Sequence, residues 1–134
     1  MSLTKKVSVL VPAFNEEANV ERAYKAIAGV FASLPEYDHE IIFTDNHSTD
    51  RTFSLLQGIA AIDPKVRVIR FARNYGYQRS LLVAYQSALG DCSVQIDCDL
   101  QDPPSHIPQM LELWRHGHHV VYGVRRSLKD GPFT

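Results

Sequence analysis

Apolar positions along the chain recur in two alternating rhythms. Val7-Ser8-Val9-Leu10-Val11 is a short β-branched run stopped by Pro12, as a buried parallel strand would be. Val20, Ala23, Tyr24, Ile27, Val30, Phe31 and Leu34 then return at three- and four-residue steps, which predicts an amphipathic helix ended by Pro35. Glu40-Ile41-Ile42-Phe43-Thr44 reads as a second strand, and Thr52 to Ile62 as a helix packing through Phe53, Leu56 and Ile59. Val66 to Phe71 makes a third strand. A helix from Tyr77 to Leu89 follows, with Gly90 as its C-terminal stop. Ser93-Val94-Gln95-Ile96 is a fourth strand. Ile107, Met110, Leu111 and Trp114 mark another helix at i, i+3, i+4 and i+7, and His119 to Val124 gives a fifth strand.

This alternation predicts an α/β fold with a mostly parallel sheet and helices on both faces, because each parallel return needs a crossover. In such sheets ligands bind beyond the carboxyl ends of the strands. Those ends are polar here. Pro12-Ala13-Phe14-Asn15-Glu16-Glu17 follows strand one, Asp45-Asn46-His47-Ser48-Thr49-Asp50 follows strand two, and Arg73-Asn74-Tyr75-Gly76 follows strand three. Asp97-Cys98-Asp99-Leu100-Gln101-Asp102 follows strand four, and Arg125-Arg126 follows strand five.

Composition narrows the setting. The 134 residues fit one domain or a piece of one, and 45% hydrophobic with 22% charged residues is enough for a buried core. Fourteen basic against fifteen acidic residues leave a formal charge of −1, which argues against non-specific nucleic-acid binding. No apolar run approaches the roughly 18 residues that cross a bilayer, and no signal-peptide pattern opens the chain. Cys92 and Cys98, about 20 Å apart along an extended segment, are beyond disulfide reach. Free thiols fit a cytoplasmic location.

The stretch QIDCDLQDPP at 95–104 is dense in carboxylates at a strand exit. Neither GxGxxG after strand one nor GxxxxGK[ST] is present, so a phosphate would not be cradled by a glycine loop. A divalent cation is the substitute: hard oxygen donors such as Asp99 and Gln101 suit Mg2+ or Mn2+, which would offset the carboxylate repulsion and bridge to diphosphate oxygens. Asp is also a common turn residue and helix cap, and Asp102 followed by Pro103 fits a helix N-terminus. On spacing alone, both readings of the acidic pair stay open.

Five segments together resemble family-two glycosyltransferases of the GT-A fold: VPAFNEE at 11–17, TDNHSTDRT at 44–52, RNYGYQRSLLVAYQSALGD at 73–91, QIDCDLQDPP at 95–104 and YGVRRSLKDGPF at 122–133. The D-x-D-L-Q-D-P-P form is similar to the branch that moves a sugar from a nucleotide diphosphate to a polyprenyl phosphate. That branch includes dolichol-phosphate mannose synthase and bacterial undecaprenyl-phosphate glycosyltransferases. The resemblance implies a Rossmann-like nucleotide-binding fold and an inverting, metal-assisted transfer. It places Pro12, Ala13, Asn15 and Glu16 in the nucleotide pocket and Asp45 on the base. Asp97 would approach the ribose or the metal, Asp99 with Gln101 would hold the cation, and Arg125 would face phosphates. Asp97, Asp99 and Arg125 are the candidate catalytic residues.

The chain departs from the family where many relatives carry Asp-Asp-Gly-Ser and it has Asp45-Asn46-His47-Ser48: Asn46 loses a charge and His47 replaces a glycine. Residues 1–134 are expected to be the nucleotide-sugar-binding part of a domain that continues beyond the chain end, with acceptor-site residues and membrane helices in the remainder. The full-length protein would then work at the cytoplasmic face of a membrane. Two other readings are a nucleotidyltransferase, which lacks support from a glycine-rich loop, and a non-catalytic nucleotide-binding or receiver-like module, where Arg125 and Arg126 stand in place of a lysine. His116, His118 and His119 are expected in a solvated turn rather than at zinc. Tyr75, Tyr77 and Tyr85 are expected to pack or to line the crevice.

Overall fold

In the computed structural model, residues 4–121 and 123 are described. The elements follow the expected order: β1 (Lys5–Ala13), α1 (Val20–Ala32), β2 (Tyr37–Asp45), α2 (Thr52–Ile62), β3 (Val66–Arg70), α3 (Tyr77–Ser87), β4 (Cys92–Gln95), a 3-10 turn (Pro104–His106) and α4 (Ile107–Arg115). Every strand pairing is parallel, in the spatial order β3-β2-β1-β4. The chain winds outward from β1 to β3, then crosses back to place β4 on the other side of β1. That reversal opens a crevice between the carboxyl ends of β1 and β4, the place where such sheets take ligands.

Strand alternation sorts side chains onto two faces. Val7, Val9, Val11, Ile41 and Phe43 meet Val20, Ile27 and Phe31 of α1, Leu56 and Ile59 of α2, and Ile107 and Leu111 of α4. Each such aliphatic or aromatic side chain contributes roughly 1.5–3 kcal/mol when fully buried. The opposite face is thinner: Leu10 and Ile42 pack on Ala84 of α3. α3 approaches the sheet through small residues, Ser80 and Ala84, while Leu82 and Tyr85 stay exposed. Helices thus cover both faces, as expected.

Polar groups on the α3 face form one buried node. Glu40, 4% exposed, accepts hydrogen bonds at Oε2 from Ser8 Oγ (2.6 Å) and the Leu89 backbone N–H (2.7 Å). Its Oε1 pairs with Arg67 Nη2 at 3.0 Å, and Arg67 also donates to the Ser87 carbonyl. One carboxylate therefore joins β1, β2, β3 and the turn that leads into β4. Beside it Lys6 and Asp91 exchange two bonds, Lys6 N–H to Asp91 Oδ2 and Asp91 N–H to the Lys6 carbonyl.

Gly90 lies inside this turn and has a different task from the expected helix stop. α3 already ends at Ser87, with Ala88 extended. A Cβ on Gly90 would come within 2.7 Å of Ser8 Oγ and 2.8 Å of the Lys6 carbonyl, so only glycine lets the turn approach β1.

The ends of the chain differ from expectation in two further places. Residues 119–121 carry no strand; they line a cavity of about 410 Å3 beside Val94, Ile96, Met110 and Trp114 instead of pairing with β4. Tyr122 and Val124, the rest of the expected fifth strand, lie outside the described residues. Asp102 also does not stand at the N-cap position, which Pro103 occupies directly before the 3-10 turn.

Burial raises the Glu40 carboxyl's affinity for its proton, but the donors Ser8, Leu89 and Arg67 outweigh it and hold the pKa below its ordinary value of 4.5. The folded protein thus binds fewer protons here than the unfolded chain. Stability from Glu40 is complete above pH 4.5 and is lost as pH falls through the lower folded value. Glu40→Ala, which strands the Ser8 and Leu89 donors and half-exposed Arg67, is expected to lower unfolding free energy by about 3 kcal/mol in urea titrations at pH 7. The same variant is expected to show a flatter acid limb than the parent protein.

Candidate functional site

A cavity of about 330 Å3 opens at the β1–β4 crevice. Pro12, Ala13, Phe14 and Glu16 line it from the exit of β1, and Asp97, Cys98 and Asp99 from the exit of β4. Asn46, Asn74, Gly76, Tyr77 and Ser80 complete the wall. Five of the site residues anticipated from sequence meet here: Pro12, Ala13, Glu16, Asp97 and Asp99.

Two loops are sewn together to form the β1 side. Asn15 N–H donates to Ser48 Oγ (2.8 Å), Glu16 N–H to Thr52 Oγ1 (2.8 Å), and Thr49 N–H to Asn15 Oδ1 (2.9 Å). Arg51 N–H reaches Glu17 Oε1, and Asp50 receives the Glu17 and Thr52 amides. Burial opposes ionisation of Asp50, but these donors prevail and hold its pKa below the usual value. Asn15 is thereby occupied in bracing the loop and does not line the cavity.

Asp45 is fully buried behind the wall. Its Oδ1 accepts from the Ser48 backbone and hydroxyl, and its Oδ2 lies 3.2 Å from Arg70 Nε without an aligned hydrogen bond. It too is absent from the cavity lining. The neighbour that does line it is Asn46, whose Nδ2 donates to Asn74 Oδ1 (2.8 Å) and whose Oδ1 accepts the Tyr75 N–H (2.9 Å). An aspartate at this position could accept from Tyr75 but could not donate to Asn74, so Asn46 is a working part of the β3–α3 loop. Its strand-end position was a signal; its pairing with Asn74 had none in the sequence.

Among the described residues, three non-glycine residues have left-handed backbones, and all lie at this edge: Asn15 (φ 52°), His47 (φ 64°) and Leu100 (φ 57°). His47 keeps the conformation that a glycine would take easily, its ring meeting the Phe71 carbonyl at 3.1 Å. Leu100 bends the chain inside the D-x-D-L segment, and its N–H donates to the Asp97 carbonyl (3.1 Å). Strained positions of this kind concentrate where a fold holds a binding site.

The electrostatics of the cavity are one-sided. Asp97 and Asp99 are exposed, Glu16 is half-buried, and no Lys or Arg is among the described lining residues. Cys98, buried between the two aspartates with its thiol toward the Pro12 carbonyl, records the field. Burial pushes that thiol up to about 12, helped by the charges of Glu16, Asp97 and Asp99. Cys92 is likewise raised, to about 11, by burial and Asp91, so both thiols are protonated and free. Tyr77 Oη donates to Asp97 Oδ1 (3.0 Å); burial and this carboxylate push the phenol up to about 12.

Exposed carboxylates around a cavity without a cationic side chain fit a hard divalent ion. Asp99 faces the cavity, and its Oδ1 accepts the Gln101 N–H at 3.1 Å, which brings Gln101 to the same turn. No group of three or more His, Cys, Asp or Glu suited to a metal exists among the described residues. The histidines at 116, 118 and 119 belong to no such group among the described residues. Arg125 lies outside the described residues, and no described helix is long and apolar enough to cross a membrane.

Comparison with known proteins agrees with this geometry. Residues 8–134 match the family described as Glycosyl transferase family 2. The chain is 38% identical over 133 residues to the uncharacterized glycosyltransferase YkcC of Bacillus subtilis, covering 99% of this chain and 41% of that protein. It is 38% identical over 120 residues to the prophage bactoprenol glucosyl transferase homolog of Escherichia coli, covering 90% of this chain and 39% of that one. The chain thus spans about two fifths of the length of these relatives. In fold it is similar to the mannosyltransferase PcManGT from Pyrobaculum calidifontis, solved with GDP-Man and Mn2+, with a TM-score of 0.70 at 23% identity over 83% of this chain and 32% of that one. The parallel sheet and this likeness bear out the expected GT-A arrangement. With its motifs in register from β1 to the end of the chain, this protein belongs to glycosyl transferase family 2.

Proposed function

We propose that the chain is the nucleotide-sugar-binding part of a glycosyltransferase that moves a sugar from a nucleoside-diphosphate sugar to a polyprenyl phosphate by inverting displacement. The observation that carries this reading is the pair Asp97 and Asp99, exposed at the β1–β4 crevice in a cavity whose described lining offers no positive side chain. A diphosphate cannot settle there unaided, since like charges repel in a partly desolvated site.

Asp99 and Gln101 would hold a divalent cation, Mg2+ or Mn2+, with diphosphate oxygens and water completing its shell. The ion supplies charge neutralisation for the departing nucleoside diphosphate. Pro12, Ala13 and Glu16 would bound the nucleotide on the β1 side, and Asp97 on the β4 side. Asn15 and Asp45 would act from behind, by fixing the two loops that form this wall. Arg125 is assigned to the phosphates of donor or acceptor. A polyprenyl-phosphate acceptor is ionised near neutral pH and attacks without a general base. The relatives support this acceptor: one is a bactoprenol glucosyl transferase homolog. GDP-Man and Mn2+ in the fold neighbour support a nucleotide-sugar donor and a metal. The acceptor-binding part and any membrane helices would lie in the remainder of a longer protein, placing the reaction at the cytoplasmic membrane face.

Two outcomes test the proposal. UDP or GDP with Mn2+ is expected to raise the melting temperature, with roughly 2.7 kcal/mol of added stability at a hundredfold excess over Kd, and EDTA is expected to remove the gain. A shift equally large in EDTA would contradict the metal's role. Asp99→Ala, in the full-length protein, is expected to reduce metal-dependent sugar transfer by at least about a hundredfold, in keeping with loss of transition-state charge stabilisation. Activity near the parent level would remove Asp99 from the assignment.

A further inference from the structure

One hydrogen-bonded chain in the cavity wall gives Asp97 a fixed direction. Gln95 ends β4, Asp97 follows two residues later, and Tyr77 opens α3 directly after Gly76, whose φ of 89° turns the backbone into the helix. Gln95 Nε2 donates to Tyr77 Oη. An amide nitrogen only donates, so the phenol oxygen is the acceptor there and its single proton is committed to Asp97 Oδ1, 3.0 Å away. An exposed aspartate otherwise exchanges between rotamers, and ordering it on binding costs conformational entropy. Here that ordering is done in advance by two side chains from separate elements.

Tyr77 has no comparable packing duty. Its residue is 50% exposed, and the buried face of α3 is made by Ser80 and Ala84. The hydroxyl is therefore the informative part of the side chain. With Oδ1 engaged by the Tyr77 hydroxyl, Asp97 keeps Oδ2 as its less occupied acceptor, which suits a neutral hydroxyl donor.

We infer that Tyr77 is a positioning residue, buttressed by Gln95, that holds Asp97 to accept a hydrogen bond from a ribose hydroxyl of the bound nucleotide. This rests on the donor-binding reading above. The role is specific to one part of the ligand, and so separable from a general contribution to folding.

The test uses UDP and GDP, each beside its 2′,3′-dideoxy counterpart, titrated calorimetrically into the full-length protein with saturating Mn2+. The parent protein is expected to favour the ribose form by roughly tenfold, the scale of one hydrogen bond to a charged group. In Tyr77→Phe, which keeps the ring, that preference is expected to shrink toward one while dideoxy affinity stays unchanged. Gln95→Ala is expected to move the preference the same way by a smaller factor. Equal weakening of both ligand forms, an unchanged preference, or a change confined to the Mn2+ requirement would each overturn the inference. A parent protein that binds neither UDP nor GDP would overturn the donor-binding reading itself, and the role of Tyr77 with it.

Discussion

The buried Glu40 carboxylate is the constraint on which the arrangement depends. A four-stranded parallel sheet could be extended past β3 instead of returning to β1, and no local propensity chooses between these routes. Glu40 does so by gathering Ser8, Arg67 and the Leu89 amide around one desolvated charge. Its ligands come from β1, from β3 and from the turn before β4, so satisfying it places β4 beside β1. Leaving such a charge unpaired in the interior is costly, which makes alternatives to this packing unfavourable. Gly90 supplies the complementary steric condition by letting the turn pass against Ser8. The crevice between β1 and β4 exists because that return occurs.

At the other end of the same strands the logic inverts. Asp97 and Asp99 at the carboxyl edge are exposed, and the backbone nearby is left-handed at Asn15, His47 and Leu100. The loops after β1 and β2 make up for their irregular shape with bonds to each other: Ser48, Thr49 and Thr52 satisfy or are satisfied by Asn15 and Glu16. One sheet thus carries a charge fully matched at its amino-terminal side and charges unmatched at its carboxyl side. The first kind stabilises; the second kind is the proposed binding set.

Much of this was legible in the sequence because strands and helices carry different periods. Val7 to Val11 and Ile41 to Phe43 announced buried strands, and α1 and α2 were legible from their apolar stripes. α3 was harder. Its Leu81-Leu82-Val83 run looks like a core face, yet Leu82 is exposed and the sheet is met by Ser80, bonded to Thr44, and by Ala84, packed on Leu10 and Ile42. Gly90 looks locally like a helix stop, but its duty is a long-range close approach, which no local window contains. The strand expected from His119 fails in its described part for the reverse reason: apolar residues there have a groove to line instead of a strand partner.

The site was legible as a set of strand ends, less so as a set of roles. Asp97 and Asp99 stand where spacing put them, with Pro12, Ala13 and Glu16 opposite. Asp45 and Asn15 lie outside the cavity lining and are bonded to the loops through Ser48 and Thr49, which their positions in the sequence did not reveal. Tyr77 was visible only as an aromatic residue lining a crevice; its bond to Asp97 spans two elements and is a product of the fold. The central claim is that a diphosphate is held at the β1–β4 crevice through a cation bound by Asp99. Anomalous diffraction from crystals grown with a nucleoside diphosphate and Mn2+ tests it most directly. The account predicts a manganese peak coordinated by Asp99 and by diphosphate oxygens between β1 and β4. Nucleotide and manganese bound elsewhere, with Asp97 and Asp99 turned from an empty crevice, would contradict it.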